Sequence, residues 1–467
     1  MRIAPLLLAG IAAVAVPALA QRAVPTVATV DPAVATLRDS ALKDDVAWDI
    51  VEGLTTEIGQ RLAATEAEAR ARAWAVIKLK ALGFKNVHIE TYMMPVWLRG
   101  EEKAEIVGPY PQKLTLAALG RSGATPAEGI TAPVVYFPTV GDLLAAPDGS
   151  LKGKIAFVSN SMKASQDGSG YGAFGGARFM GPSIAAKKGA AAIVIRSIGS
   201  DKGRWPHTGG TNWAPGVTPI PAAALSVADA EQLERIFKRT DKVTLHLTLT
   251  PRTLPDAESG NVVADVPGTD PNAGMVVIGG HLDSWDLGTG AIDDGAGVAI
   301  TTAAAKRLLD GPKPRRTIRV VWFGAEEPGG FGGEAYAKAH AGEKVAMAAE
   351  SDFGADNVWK VEFNLPDSAK AVADRIVAAL APMGIVRGRD KAGGGTDVGP
   401  LLKTGAPGID LSQSGLRYFD WHHTPEDTLD KIDPEQLRQN VAAWALVLWI
   451  VANAPEELGP VTPNARG

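Results

Sequence analysis

The 467-residue chain contains no cysteine. That absence excludes disulfides, thiolate zinc sites and a lipidated N-terminal cysteine, and it leaves His, Asp and Glu as the residues able to hold a metal. An excess of one charge is also lacking. Lys and Arg total 47 against 52 Asp and Glu, a net charge of −5, so nothing favours nucleic acid or an anionic membrane surface, and the expected partner is small. There is no internal repeat at a fixed period and no long low-complexity tract. Nor is any apolar run long enough to span a bilayer. Ile3 to Val16 is interrupted by Pro5 and Gly10 and closed by Pro17; Val441 to Ala452 repeats at helical spacing and reads as a buried helix. With Arg2 before the first run and Ala18-Leu19-Ala20 before Gln21, residues 1–20 read as a secretory signal peptide. The mature chain is therefore expected in the periplasm or secreted, with no stable membrane anchor after cleavage. Residues 21–38, rich in Ala, Val and Pro, read as a removable propeptide or a flexible arm.

The length implies two or three domains. Residues 40–83 are expected to be helical, ending at Gly83, and 86–92 alternate as a strand. From about Gly100 to Arg252 short strands (APVVYFP, GKIAFVS, AAIVIRS, KVTLHLTLT) lie between Gly- and Pro-rich loops, the texture of an inserted, mostly-β domain. After Asn261 the pattern becomes strand, helix, strand, helix: NVVADV, MVVIGG, a helix over GVAITTAAAKRLLD, TIRVVWFG, a helix over GGEAYAKAH, KVAMAAES, then helices over 366–382 and 434–453. Such alternation predicts an α/β fold with a sheet between helices on both faces.

Against this background GGHLDSWDLGTGAIDDGAG, residues 279–297, gathers one histidine and four aspartates with no lysine or arginine. Half-buried carboxylates without a basic neighbour repel one another unless a cation sits between them, so a metal ion is the first reading. Other acidic groups fall where an open α/β sheet collects its ligands, beyond the carboxyl ends of strands. His281 and Asp283 follow MVVI, Glu326 and Glu327 follow IRVVWFG, and Asp352 follows KVAMAAE; Asp293 and Asp294 precede a helix, and His423 follows an apolar loop ending in Asp410.

HLDSWDLGTGAIDDGAG, GAEEPGGFGGEAY, ESDFGA and HHTPEDT resemble the motif set of the co-catalytic dizinc exopeptidases. GITAPVV, PHTGG, IPAAALSVADAE and GGGTDVGPLLKTGAPG are similar to the carboxypeptidase Q group of that clan, so the resemblance covers nearly the whole mature chain. It implies a zinc-peptidase domain over 39–99 and 253–467, interrupted by a protease-associated insert over 100–252. It also implies two Zn²⁺ per chain, one on His281 and Asp352, the other on Glu327 and His423, with Asp293 bridging. Attack on the peptide by a hydroxide shared between the ions follows, with Glu326 as general base and then acid and the Asp283 carboxylate receiving the second N–H of His281. A cis peptide after Asp293, a homodimer, and hydrolysis of dipeptides or terminal peptide bonds belong to the same resemblance. GGGTDVGP and 412–419 are expected to line the pocket.

Taken singly, an HxD or an EE pair is weak, and an EE pair is more often a solvated face. His88 and His246 fall on the polar sides of strands and His340 near a helix C-terminus. His422 is read as pocket-lining, His207 as a loop residue over the pocket or on the surface, and the glycine loop 167–176 as conformational freedom, since it lacks the lysine and strand-loop-helix setting of a phosphate cradle. Two other readings stay open: a single-zinc glutaminyl-cyclase-like acyltransferase, and a receptor-like binding protein with an inactive site.

Overall fold

Apolar runs without alternation need cover on both faces. Ile318–Phe323, Met275–His281, Val345–Glu350 and Gly408–Gln413 lie side by side and parallel at the centre of an eight-stranded mixed sheet. Lys85–Leu98 and Arg252–Val266 extend one edge, Val358–Asn364 and Val386–Arg387 the other. This computed structural model describes residues 32–462, so the expected signal peptide and most of the expected arm lie outside the described residues.

Alternate side chains of each central strand meet different helices. Val276, Ile278, Val320 and Trp322 pack with Ala303 and Ala304 of helix Ala296–Leu309 and with Trp444 and Leu448 of helix Pro434–Asn453. Val277, Val321 and Phe323 pack with Tyr336 of helix Phe331–Ala339 and Val398, Leu401 and Leu402 of helix Gly395–Lys403. The result is a sheet layered between helices. Helix Pro434–Asn453 begins where Pro434 needs no amide hydrogen and the Asp433 carboxylate accepts from the Glu435 and Gln436 amides. Among the described residues no helix is long and apolar enough to cross a membrane.

Some expectations need correction. Residues 32–38 are not a flexible arm: they belong to helix Pro32–Ala41, because Val34, Leu37 and Ala41 recur at helical spacing and join the core. The apolar loop expected before Asp410 is the central strand Gly408–Gln413, whose sequence GIDLSQ is too polar to read as buried.

A second eight-stranded sheet is built wholly from residues 102–249. Its parallel centre is Ile130–Phe137, Ile155–Val158, Ala192–Arg196 and Ala222–Leu225. Helix Val227–Phe237 covers one face through Ala230, Leu233 and Ile236, and the other face joins the main core through Leu143, Ala156 and Ala185. The chain leaves the first sheet along Lys85–Leu98 and returns along Arg252–Val266, paired antiparallel with Leu98 opposite Arg252.

The strand that ends in His281 has its successor, Ile318–Phe323, on one side and the next, Val345–Glu350, on the other. Strand order therefore reverses at Met275–His281, and the crevice at its carboxyl end is where an open α/β sheet binds ligands.

Candidate metal centre

His281 is the last residue of its strand, and its backbone amide donates to Asp294 Oδ2 at 3.0 Å. The second Asp294 oxygen accepts from the Gly297 amide, also at 3.0 Å, which fixes the start of the following helix. The Asp293–Asp294 peptide is cis. Asp293 then points both oxygens at histidines: Oδ1 lies 3.1 Å from His281 Nε2 and Oδ2 lies 3.1 Å from His423 Nε2. Asp352, two residues beyond strand Val345–Glu350, brings Oδ1 to 3.6 Å from His281 Nε2. Glu327 brings Oε2 to 3.0 Å from His423 Nε2. Residues from four separate segments thus form two triads that share one carboxylate.

The five residues expected to hold metal are together, and His281, Asp293, Glu327 and His423 are buried. His422 stacks on His423 with ring centroids 3.5 Å apart and comes to 3.5 Å of Asp293 Oδ2, so it also lines the site. His423 reaches both Asp293 and Glu327, whereas His422 reaches Asp293 alone.

Asp283 does more than face His281. Nδ1 of His281 lies 2.9 Å from the Asp283 carbonyl and 3.6 Å from its carboxylate. The carboxylate accepts from the amides of Glu326, at 3.0 Å, and Glu327, at 3.3 Å. The carboxylate therefore orients the acidic pair, and the His281 N–H expected to reach it goes to the Asp283 carbonyl instead, because both carboxylate oxygens are taken by backbone amides. Ala325 before that pair has φ +55°, so the chain turns sharply as it leaves the strand.

The electrostatics follow from crowding acids in a dry crevice. Burial pushes the Glu326 carboxyl up to about 8, with Asp352 and Glu327 adding to the shift against the opposing charge of His281. Burial likewise takes Glu327 up to about 7, and Asp294 well above the carboxylate range with the Asp352 charge adding. Burial alone would lower His281 and His423; the carboxylates around them outweigh it, holding His281 well above its ordinary value and His423 at about 9. Asp293 is held well below the usual range because the close approach of His281 and His423 outweighs burial. Its buried Oδ2 nonetheless makes no hydrogen bond. These side chains gather more carboxyl groups than basic ones, and their nitrogen and oxygen donors suit a borderline divalent ion.

Several supporting residues escaped the sequence reading. Asp427 accepts from the Ala291 and Ile292 amides, both at 2.7 Å, and so holds the turn that presents Asp293; it stood in the quoted HHTPEDT, which was its only signal. Arg61, fully buried, donates to the carbonyls of Leu282, Gly59, Thr289 and Gly290. From the second sheet's segment, Arg178 donates to the Thr208 carbonyl at 3.2 Å and lies 3.1 Å from His423 Nδ1. His207 is not on the surface. It is buried, with Nε2 2.7 Å from Asp201 Oδ2 and Nδ1 2.8 Å from the His422 carbonyl.

Above the triads opens a cavity of about 360 Å³. Asp293, Glu326, Glu327 and Asp352 lie on its floor; Arg121, Tyr171, Arg178 and Asn212 roof it from the segment 102–249; Phe353, Thr396, Tyr418 and Phe419 complete its walls. Of the expected lining segments, GGGTDVGP supplies Thr396 and 412–419 supplies Tyr418 and Phe419.

Comparison with known proteins agrees with this architecture. Residues 261–448 match peptidase family M28. The chain is 36% identical to carboxypeptidase Q of Bos taurus, over 87% of this chain and 85% of that one. Against carboxypeptidase Q of Homo sapiens the identity is 35% over the same shares. The crystal structure of a peptidase M28 precursor from Shewanella amazonensis superposes with a TM-score of 0.90 at 48% identity, covering 92% of this chain and 98% of that one. The chain belongs to peptidase family M28, in its carboxypeptidase Q-like group.

Proposed function

We propose that this chain is an exported exopeptidase that holds two zinc ions and hydrolyses dipeptides or terminal peptide bonds. One observation carries the reading: Asp293 divides its two oxygens between His281 and His423, and each histidine has a second carboxylate, Asp352 or Glu327. A carboxylate shared by two His-acid pairs is a donor set that would hold a pair of divalent ions. The unbonded, buried Asp293 Oδ2 is the atom a second ion would satisfy. When bound, such ions polarise the scissile carbonyl and activate water.

The chain's own residues supply the rest. Glu326, beside but outside the two triads, takes the proton of the attacking water and passes it to the leaving amine. Asp283 keeps it aimed by binding its amide. The roof leaves a cavity of about 360 Å³, a size that favours small peptides over folded chains. Export rests on residues 1–20, and the carboxypeptidase Q resemblance makes residues 100–252 a protease-associated insert and the working unit a homodimer.

Glu326→Gln is expected to lower kcat on a dipeptide library by about 10²–10⁴-fold while native mass spectrometry still counts two zinc ions per chain. Active wild type with one zinc per chain would instead favour the cyclase-like acyltransferase. Peptide binding without hydrolysis, zinc being supplied, would favour the receptor-like reading.

A further inference from the structure

A second cavity of about 230 Å³ adjoins the one above the metal centre, and the two share Arg121 and Gly210. Its walls are apolar: Met94, Trp97, Trp213, Trp285 and Phe331 face it. Trp285 is the partition, its ring 5.9 Å from that of His423 and its amide 3.3 Å from Glu327 Oε1. A side chain at 210 would begin 3.3 Å from the Glu327 carbonyl and 3.9 Å from Arg121 Nη2, so glycine there leaves room where the two cavities meet.

Arg121 stands at the junction without a counter-charge. One Nη2 hydrogen goes to Asn212 Oδ1 at 3.1 Å, the buried Nε has no partner, and no ion pair is formed with it among the described residues. A half-buried guanidinium of that kind seeks an anion with two acceptor oxygens. Arg178, the other arginine of the roof, is committed to Thr208 and packed against the rings of Tyr171 and Phe179. The backbone of Arg121 is in the left-handed region, φ +65°, held by the bond from Trp213 Nε1 to its carbonyl at 2.8 Å. A bulky non-glycine residue keeps that conformation only where its surroundings enforce it, and such positions concentrate at ligand sites.

We propose that Arg121 binds the free carboxylate of the peptide's C-terminal residue and that the adjoining apolar cavity receives that residue's side chain. The inference rests on the exopeptidase reading and narrows it: the substrate is a short peptide, a dipeptide foremost, ending in a large apolar residue. In the reaction water adds across the amide, its OH to the carbonyl carbon and its proton to the departing nitrogen. The amino acid that leaves is the one Arg121 holds.

The test compares Ala-Phe, Ala-Phe amide and Ala-Gly on wild type, Arg121→Ala, Arg121→Lys and Thr253→Trp, the last filling the apolar cavity from an exposed strand position. Wild type should prefer Ala-Phe to its amide by about 100-fold in kcat/KM, and Arg121→Ala should erase that preference by losing Ala-Phe activity while the amide changes less than about threefold. Arg121→Lys, which keeps the stem and charge, should fall between. Thr253→Trp should lower Ala-Phe relative to Ala-Gly by about tenfold. Calorimetry supplies the independent readout: L-phenylalanine should bind the zinc-loaded wild type and bind Arg121→Ala at least tenfold more weakly, and L-phenylalaninamide should bind neither. Equal wild-type rates on acid and amide, or an equal loss of both in Arg121→Ala, overturns the proposal. If no peptide is cut, the exopeptidase reading fails, and binding of L-phenylalanine still decides the role of Arg121.

Discussion

Glycines around Asp294 show how tightly the centre is packed. Its carboxylate is fully buried between the His281 and Gly297 amides. A Cβ at Gly280 would fall 2.3 Å from Asp294 Oδ2, and one at Gly297 only 1.8 Å from the Ser351 carbonyl. Gly297→Ala is therefore expected to destabilise the fold by about 1–3 kcal/mol, read as a lower urea midpoint, and to weaken zinc retention because the main chain presenting Asp293 must move. At this scale the sequence was informative where chemistry and strand ends coincided: His281, Glu326, Glu327 and Asp352 each follow an apolar run, so their convergence could be read without coordinates. Arg121 and Arg178 could not. Arg121 lies on a loop and Arg178 in the single turn Gly176–Phe179, stretches whose spacing carries no period, and only tertiary folding turns them toward the acids.

Helices and strands with full apolar faces were equally readable, and those without were not. Helix Pro434–Asn453 announces itself through its spacing and its Asp433-Pro434 start, whereas Gly408–Gln413 hides a central strand in a half-polar sequence because its neighbours bury it. The helical reading of 40–83 holds in outline but breaks at 42–45 and again between Gly59 and Thr65, where Arg61 turns inward to the Leu282 and Gly290 carbonyls. Packing between late elements includes a tie that senses acid. Arg375 of helix Lys370–Leu380 donates to both Glu456 oxygens at 2.8 Å, and this bond lowers the Glu456 carboxyl to about 2 from 4.5. A carboxyl depressed in the folded state stabilises above its unfolded value and loses that contribution as pH falls through its folded one. Arg375→Ala should accordingly lower the unfolding free energy by at most about 1 kcal/mol at pH 7, solvent screening included, read from urea denaturation, and its difference from wild type should shrink between pH 4.5 and 2.

At the scale of the molecule, residues 199–208 of the second sheet's segment grip residues 418–423 of the first. The Ser200 amide donates to the Phe419 carbonyl, Trp205 Nε1 to the Asp420 carbonyl and the Thr208 amide to the His423 carbonyl, while His207 reaches that of His422. A bound ion pair would add to this grip, since a ligand held by the folded state alone stabilises by about 2.7 kcal/mol at a hundred times its Kd. Chelation should lower the thermal midpoint by several degrees and zinc should restore it, with wild type losing more than Asp293→Ala in differential scanning calorimetry.

The antiparallel ribbon formed by Lys85–Leu98 and Arg252–Val266 carries everything between them out of the first sheet and back to the same place. Substitutions between residues 102 and 249 can therefore recast the roof, Arg121 and Asn212 included, without altering the order of the strands that present the acids and imidazoles. Selection can thus change which peptides are cut while the cutting chemistry is inherited intact.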